Sequence, residues 1–134
     1  MKLRDEKTRW VERETMVEAS PEEVWEALTD EDRLEEWMAP DVELDPVEGG
    51  EISVSDGEDG RTGKVETVEE EERFAFTWTR PGEGESFVEF TIEPLPRGTR
   101  VRVVETAVGP TAIAVGWGAR IARLEHVFRF SLVA

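Results

Sequence analysis

The chain has 134 residues, with 32 acidic and 16 basic side chains and a formal net charge of −16. This length predicts a single domain over residues 1–134, and the charge argues against nucleic acid and anionic membrane surfaces as partners. The absence of cysteine excludes disulfides and zinc–thiolate sites. No stretch has the ~20 apolar residues of a membrane span and the start lacks an apolar signal-peptide run, so we expect a cytoplasmic protein.

The first predicted elements are a strand and two short helices. Residues 8–19 alternate imperfectly between apolar and polar side chains, which indicates a strand. The motif Ser-Pro-Glu-Glu at residues 20–23 is typical of a helix start. Its serine can cap the helix, its proline suits the first helical position, and its last glutamate can close a capping box. A second short helix is predicted to begin at Thr29 or Asp30 and to end near Trp37.

From Val42 onward the apolar residues follow a period of two, which predicts a series of strands. Turn-forming residues, such as those at 49–50 and 55–60, separate them. The predicted strands are Val42–Leu44, Glu51–Ser55, Arg61–Val68, Arg73–Thr79, Ser86–Glu93 and Thr99–Thr106. Their regular hairpin connections imply an antiparallel meander.

A long final helix is predicted from Ala112 to about Val133. Apolar residues recur there at helical spacing, at Trp117, Ile121, Leu124 and Phe128. The complete order is one strand, two short helices, about six strands and a long helix, which predicts an α+β fold. One curved sheet wrapped around one long helix would bury the apolar faces of both.

The segment ASPEEVWEALTDEDRLEEWMAP, residues 19–40, resembles the opening of the SRPBCC, or START-like, superfamily. It is most similar to the subgroup named after the activator of the heat-shock-protein-90 ATPase. Four later pieces agree in order and spacing: Gly49-Gly50-Glu51, Gly63-Lys64-Val65, Phe76-Thr77-Trp78 and Gly98-Thr99-Arg100-Val101. The resemblance covers roughly residues 14–128. It implies the helix-grip fold, in which a bent antiparallel sheet of about six to seven strands grips a C-terminal helix around a cavity.

The aromatic residues are candidates for the lining of that cavity. Five tryptophans in 134 residues is a high number, and large aromatic side chains line clefts well. The predicted ligand-binding residues, which all face the interior, are Trp37, Met38, Phe76, Trp78, Phe90, Glu105, Trp117, Ile121 and Leu124. The alternative is solid packing with no usable void. Trp10 is expected to lie outside the cavity, and Trp25 to pack a helix on the sheet.

Glu105 is the most informative polar residue in this set. Strand parity points it inward, like Val101 and Val103. A buried carboxylate costs several kcal/mol unless it is paired or protonated. Glu105 is therefore either a ligand contact or an end-of-strand residue that has returned to water, and we favour water. Arg13, on the inner face of the first strand by parity, is a candidate partner.

Three functions are compatible with the pattern, and the first is favoured. It is non-enzymatic binding of a small hydrophobic or amphipathic molecule, such as a lipid or an aromatic metabolite, with no cofactor. The second is an enzyme like the polyketide cyclases that the superfamily contains, which would need a positioned acid or base. Only Glu105 qualifies, so no catalytic residue is assigned. His126 is the only histidine, is expected to be exposed, and leaves no histidine-rich metal site.

The third function is a chaperone-type protein interaction, which the name of the subgroup implies. The place to look for it is the apolar tail, Val127–Val133, because large exposed apolar patches mark interaction surfaces. The same tail is a candidate for a homodimer contact.

Overall fold

The computed structural model describes residues 8–108, 111 and 116–133, with side chains described as far as residue 129. Within these residues seven strands and three helices follow one another along the chain. They are β1 (Thr8–Val17), α1 (Pro21–Thr29), α2 (Glu31–Trp37), β2 (Asp41–Leu44), β3 (Glu51–Ser55), β4 (Gly60–Glu69), β5 (Arg73–Thr79), β6 (Glu85–Leu95), β7 (Gly98–Val108) and α3 (Trp117–Val133). No helix among them is long and apolar enough to cross a membrane.

The helix-grip prediction is confirmed. The strands form one curved antiparallel sheet in the order β1-β7-β6-β5-β4-β3-β2. It packs against the C-terminal α3, and the two short helices follow the first strand. β1 ends at Val17, two residues before its predicted end. The predicted start of the last helix, at residues 112–115, lies outside the described residues.

Local capping explains where the short helices begin and end. The Ser20 hydroxyl accepts a hydrogen bond from the Glu23 amide at 3.1 Å, and the Glu23 carboxylate accepts one from the Ser20 amide at 2.9 Å. This is the capping box expected from the sequence. Asp30 ends α1 and also caps α2, because its carboxylate accepts from the Arg33 amide at 3.1 Å. One residue thus separates the two helices.

The β2 edge of the sheet is covered, which prevents open strand pairing there. At the β2 edge, carboxylates from α2 accept the strand's outward amides. Val42 N donates to Glu35 Oε2 at 3.1 Å, and Leu44 N donates to Glu31 Oε2 at 2.8 Å. At the β1 edge, the Thr15 hydroxyl donates to the Glu125 carboxylate of α3.

Close approach of β4 and β5 positions one of the interior tryptophans. Gly63 lies opposite Trp78 in the register. A Cβ atom at Gly63 would lie 1.7 Å from the carbonyl oxygen of Thr77. Only glycine permits this approach, so the Gly63-Lys64-Val65 motif has a steric reason in this fold.

Candidate functional site

The nine side chains predicted to bind a ligand are all buried, eight in one hydrophobic core cluster and Glu105 among them. Their aromatic rings contact one another. The ring centroids of Phe76 and Trp78 are 5.1 Å apart, and those of Phe90 and Trp117 are 5.8 Å apart. Trp78 and Trp117 stack at 6.1 Å with an interplanar angle of 23°. The five aromatic residues among the nine therefore form one continuous aromatic surface between the sheet and α3.

Glu105 lies at the end of this surface nearest the start of α3 and is completely buried, with 0% of it exposed. Trp78 Nε1 donates to its Oε2 at 2.9 Å, and Trp117 Nε1 donates to its Oε1 at 2.8 Å. The Ser86 hydroxyl also donates to Oε2, at 2.5 Å. The expectation that Glu105 has returned to water is wrong. β7 continues to Val108, so Glu105 lies within the strand and not at its end.

Four elements bring these groups together. Glu105 points inward from β7, Ser86 from β6 and Trp78 from β5, and Trp117 is the first residue of α3. The carboxyl group therefore links three strands to the start of the helix. Arg13 does not pair with it, because its guanidinium donates to the Glu12 carbonyl at 2.8 Å and its register partner on β7 is Val103.

Two arginines that the sequence reasoning did not select lie against the stacked tryptophans. The guanidinium carbon of Arg61 is 5.2 Å from the ring centroid of Trp78, and that of Arg120 is 5.1 Å from the ring centroid of Trp117. These are cation–π distances. Arg61 lies on the same strand face as the buried Val65, and Arg120 lies three residues after Trp117 on α3. Strand and helix spacing in the sequence could therefore have placed both side chains near the predicted interior.

Arg120 also joins the two helices around the site. Its Nε donates to the Met38 carbonyl at 3.0 Å, and Arg123 Nε donates to the Trp37 carbonyl at 3.0 Å. Both carbonyls lie at the C-terminal end of α2, where cationic side chains stabilise unpaired backbone oxygens. Met38 and Trp37 are thereby held beside α3.

Positive charge is concentrated around Arg120. Burial lowers the pKa of Arg120 from its ordinary value, and the neighbouring positive charges of Arg123 and Arg61 lower it further. Glu105 and Asp59 oppose this effect by raising the pKa. In a chain of net charge −16, the polar end of the aromatic surface is thus a local cluster of arginines.

Two described cavities lie beside β4. One, of about 710 Å³, is lined largely by acidic and hydroxyl side chains, including Glu43, Glu51 and Thr62. The other, of about 410 Å³, includes Arg61 in its lining. Neither is lined by any of the nine predicted residues, so their role as ligand contacts stays a prediction.

The remaining sequence candidates lie where they were expected to lie. His126 is exposed on α3, Trp10 is 64% exposed, and Trp25 packs edge-on against Phe74 with centroids 6.2 Å apart. Within the described residues, no group of three or more His, Cys, Asp or Glu side chains is arranged to hold a metal ion. The side chains of residues 130–133, at the end of the apolar tail, lie outside the described residues.

Solved structures share this architecture. DynU16, a protein of the dynemicin biosynthetic locus, is 27% identical over 91% of this chain, with a TM-score of 0.79. This chain spans 48% of the length of DynU16. MLL2253 from Mesorhizobium loti is 24% identical, with a TM-score of 0.79, over 92% of this chain and 98% of its own. CalU16 from Micromonospora echinospora is 20% identical, with a TM-score of 0.74, over 97% and 90%. The last two likenesses show the fold alone.

Among proteins of curated function, none matches this chain. A family profile does match, over residues 18–129, and its description is activator of Hsp90 ATPase homolog 1-like protein. The match runs from residue 18, just after β1, to residue 129 in α3, and so includes Glu105 and the three described groups that donate to it. The chain therefore belongs to the family of activator of Hsp90 ATPase homolog 1-like proteins, within the SRPBCC, or START-like, superfamily.

Proposed function

We propose that this protein binds a small hydrophobic or amphipathic molecule between the sheet and α3, without catalysing a reaction on it. The ligand contacts are the nine residues named from the sequence, with Trp78 and Trp117 at the point of entry. The family supplies the ligand-binding fold. The choice of this surface and of a non-enzymatic role is our own inference.

The observation that carries the proposal is the buried carboxyl group of Glu105 at the polar end of the aromatic surface. A carboxyl group is costly in a core that serves only packing, because burial of a polar group costs free energy and hydrogen-bond partners have to offset that cost. Here Glu105 is fully buried and orients two indoles. Apolar walls around a few convergent polar groups are typical of small-molecule sites.

Binding at this surface requires the stacked rings of Trp78 and Trp117 to separate. A ring pair contributes about 1 kcal/mol beyond its buried area. Burial of roughly 200 Å² of apolar ligand surface contributes about 5 kcal/mol at 25 cal/mol per Å². The burial energy exceeds this additional energy of the ring pair, and the ordering of ligand and side chains reduces the net gain.

A polyketide-cyclase-like reaction is less well supported by the same geometry. Such an enzyme needs an acid or base that can reach a substrate proton. Both oxygens of Glu105 accept hydrogen bonds from protein donors. This arrangement suits a group that holds side chains in place better than one that exchanges protons with a substrate.

The test is native mass spectrometry of the protein purified from its own host, together with titration of the identified molecule by tryptophan fluorescence. We expect a co-purifying small molecule and loss of its binding in Trp117→Ala. Trp10→Ala is the matched control, since Trp10 is 64% exposed and lies outside the site. Unchanged binding in Trp117→Ala, with the fold intact by circular dichroism, would show that the site is elsewhere.

A further inference from the structure

We propose that the ligand carries an anionic group, a carboxylate or a related oxyanion, and that Arg61 binds it at the edge of the Trp78–Trp117 stack, with Arg120 beside it. This inference rests on the proposed function and adds the chemical class of the molecule. An acidic chain would not be expected to select an anion, so a specific structural feature has to account for the selection.

That feature is a buried guanidinium without a partner. Arg61 is only 7% exposed. Across the described part of the chain its guanidinium makes no hydrogen bond or ion pair, and it lies against the ring of Trp78. Burial of an unpaired charge is costly, and a cation–π contact recovers only about 1–2 kcal/mol of that cost. An anion from a ligand would supply the missing partner.

Arg61 also borders a space where such a group can lie. Arg61 lines the cavity of about 410 Å³ beside β4. In the described residues, two side-chain atoms are fully enclosed and lack a hydrogen-bond partner, one in Arg33 and one in Asp59. The nitrogens of Arg61 are not in this set although they make no hydrogen bond to the described residues, so they are not fully enclosed. Arg61 therefore borders both the cavity and the aromatic surface, as the head-group contact of an amphipathic molecule should.

Two of the acidic residues that line this cavity, Asp59 and Glu83, are engaged with another group, and Glu58 is the third acidic lining residue. Arg80 forms ion pairs with Asp59 at 2.9 Å and with Glu83 at 3.7 Å. Asp56 accepts hydrogen bonds from the amides of Glu58 and Asp59. The charge on Arg61 is thus not cancelled by a direct contact with these groups, and the charge on Arg120 adds to it.

The experiment compares two dyes that share one apolar body. 8-Anilinonaphthalene-1-sulfonate carries an anionic sulfonate, and N-phenyl-1-naphthylamine is the same ring system without it. Dissociation constants for both are measured by dye fluorescence against the folded wild-type chain at low and at physiological salt. We expect the sulfonate to bind at least about tenfold more tightly, because a charge-assisted hydrogen bond contributes on that scale.

Variants then test whether Arg61 is responsible for the preference for the sulfonate dye over the neutral dye. Arg61→Gln should weaken sulfonate binding about tenfold or more and leave the binding of the neutral dye within about twofold. Arg61→Lys should retain most of the preference. Arg100→Gln is the matched control, because it removes the same charge from an exposed side chain that pairs with Glu14 and Glu93. Urea midpoints and near-ultraviolet circular dichroism confirm that each variant is folded.

The outcomes separate this inference from the proposed function. If neither dye binds, the proposed function itself fails at this surface. If both dyes bind with equal affinity to the wild-type chain, or if Arg61→Gln weakens them equally, the apolar site stands and the anionic ligand is overturned. If Arg61→Gln does not fold, the wild-type ratio and Arg61→Lys still decide the question.

Discussion

The two ends of the aromatic interior use tryptophan in different ways. At the apolar end, near α1, Trp25 packs on Phe74, and the indole N–H of Trp37 donates to the Ala27 carbonyl ten residues away at 2.9 Å. At the polar end, near α3, Trp78 and Trp117 both donate to the carboxyl group of Glu105. A bond to a nearby backbone carbonyl stabilises a local helix pair, whereas a shared carboxyl group makes distant elements depend on one another. The polar end is therefore where we expect a ligand, and where substitutions should have the largest effects.

Removal of the shared carboxyl group should have the largest effect on stability. Glu105→Ala leaves two indole N–H groups and the Ser86 hydroxyl without the acceptor that they share, inside a core where Glu105 is 0% exposed. Loss of a buried polar partner of this kind costs about 4 kcal/mol. The measurement is urea unfolding followed by tryptophan fluorescence and circular dichroism.

Glu105→Gln is the control for this substitution, since its carboxamide keeps one acceptor oxygen and nearly the same volume. It should cost less than half as much as Glu105→Ala. A loss under about 1 kcal/mol for Glu105→Ala would mean that Glu105 does not join the two indoles, and the contrast between the two ends would disappear.

The next largest effect is expected at the strand pair that carries Trp78. In Gly63→Ala the new Cβ would lie 1.7 Å from the carbonyl oxygen of Thr77, so β4 and β5 must move apart. Overpacking against backbone costs about 3 kcal/mol. Gly60→Ala, at the start of the same strand, is the matched control, because the nearest atom there is 3.9 Å away. If the two variants have the same melting temperature, the steric role of Gly63 is refuted.

The smallest effect is expected in the first turn of α3. Among the described residues outside its own helix backbone, an added Cβ at Gly118 would meet only Arg13 Nε, at an ordinary contact distance of 3.7 Å. Gly118→Ala should therefore stabilise the chain by about 0.5–1 kcal/mol through helix propensity. Gly116→Ala should do the opposite, because Gly116 has φ of +90°, where a side chain is strained. The measurement is the free energy of unfolding of both variants by chemical denaturation. Shifts of opposite sign would support the view that the backbone of this turn positions Trp117.

Strand parity and helical spacing in the sequence placed most of the interior correctly. They put Glu105 on the inner face with Val101 and Val103, and all three are buried. They did not predict its surroundings, because the end of β7 is decided by pairing with β1 as far as Val108 and with β6 as far as Ala107. Parity with Val65 also places Arg61 on the inner face, but its contact with Trp78 joins two strands and depends on their register.

The sequence alone determined the elements, their order and the residues that face inward. Capping motifs, turn residues and apolar periodicity act over a few positions, so they can be read locally, as the capping box at Ser20 illustrates. Only the tertiary structure decided which groups meet at the polar end. The donors to Glu105 lie 27, 19 and 12 residues away from it along the chain. Their convergence depends on sheet curvature, strand register and the docking of α3, because hydrogen bonds and cation–π contacts require short distances that no local pattern specifies.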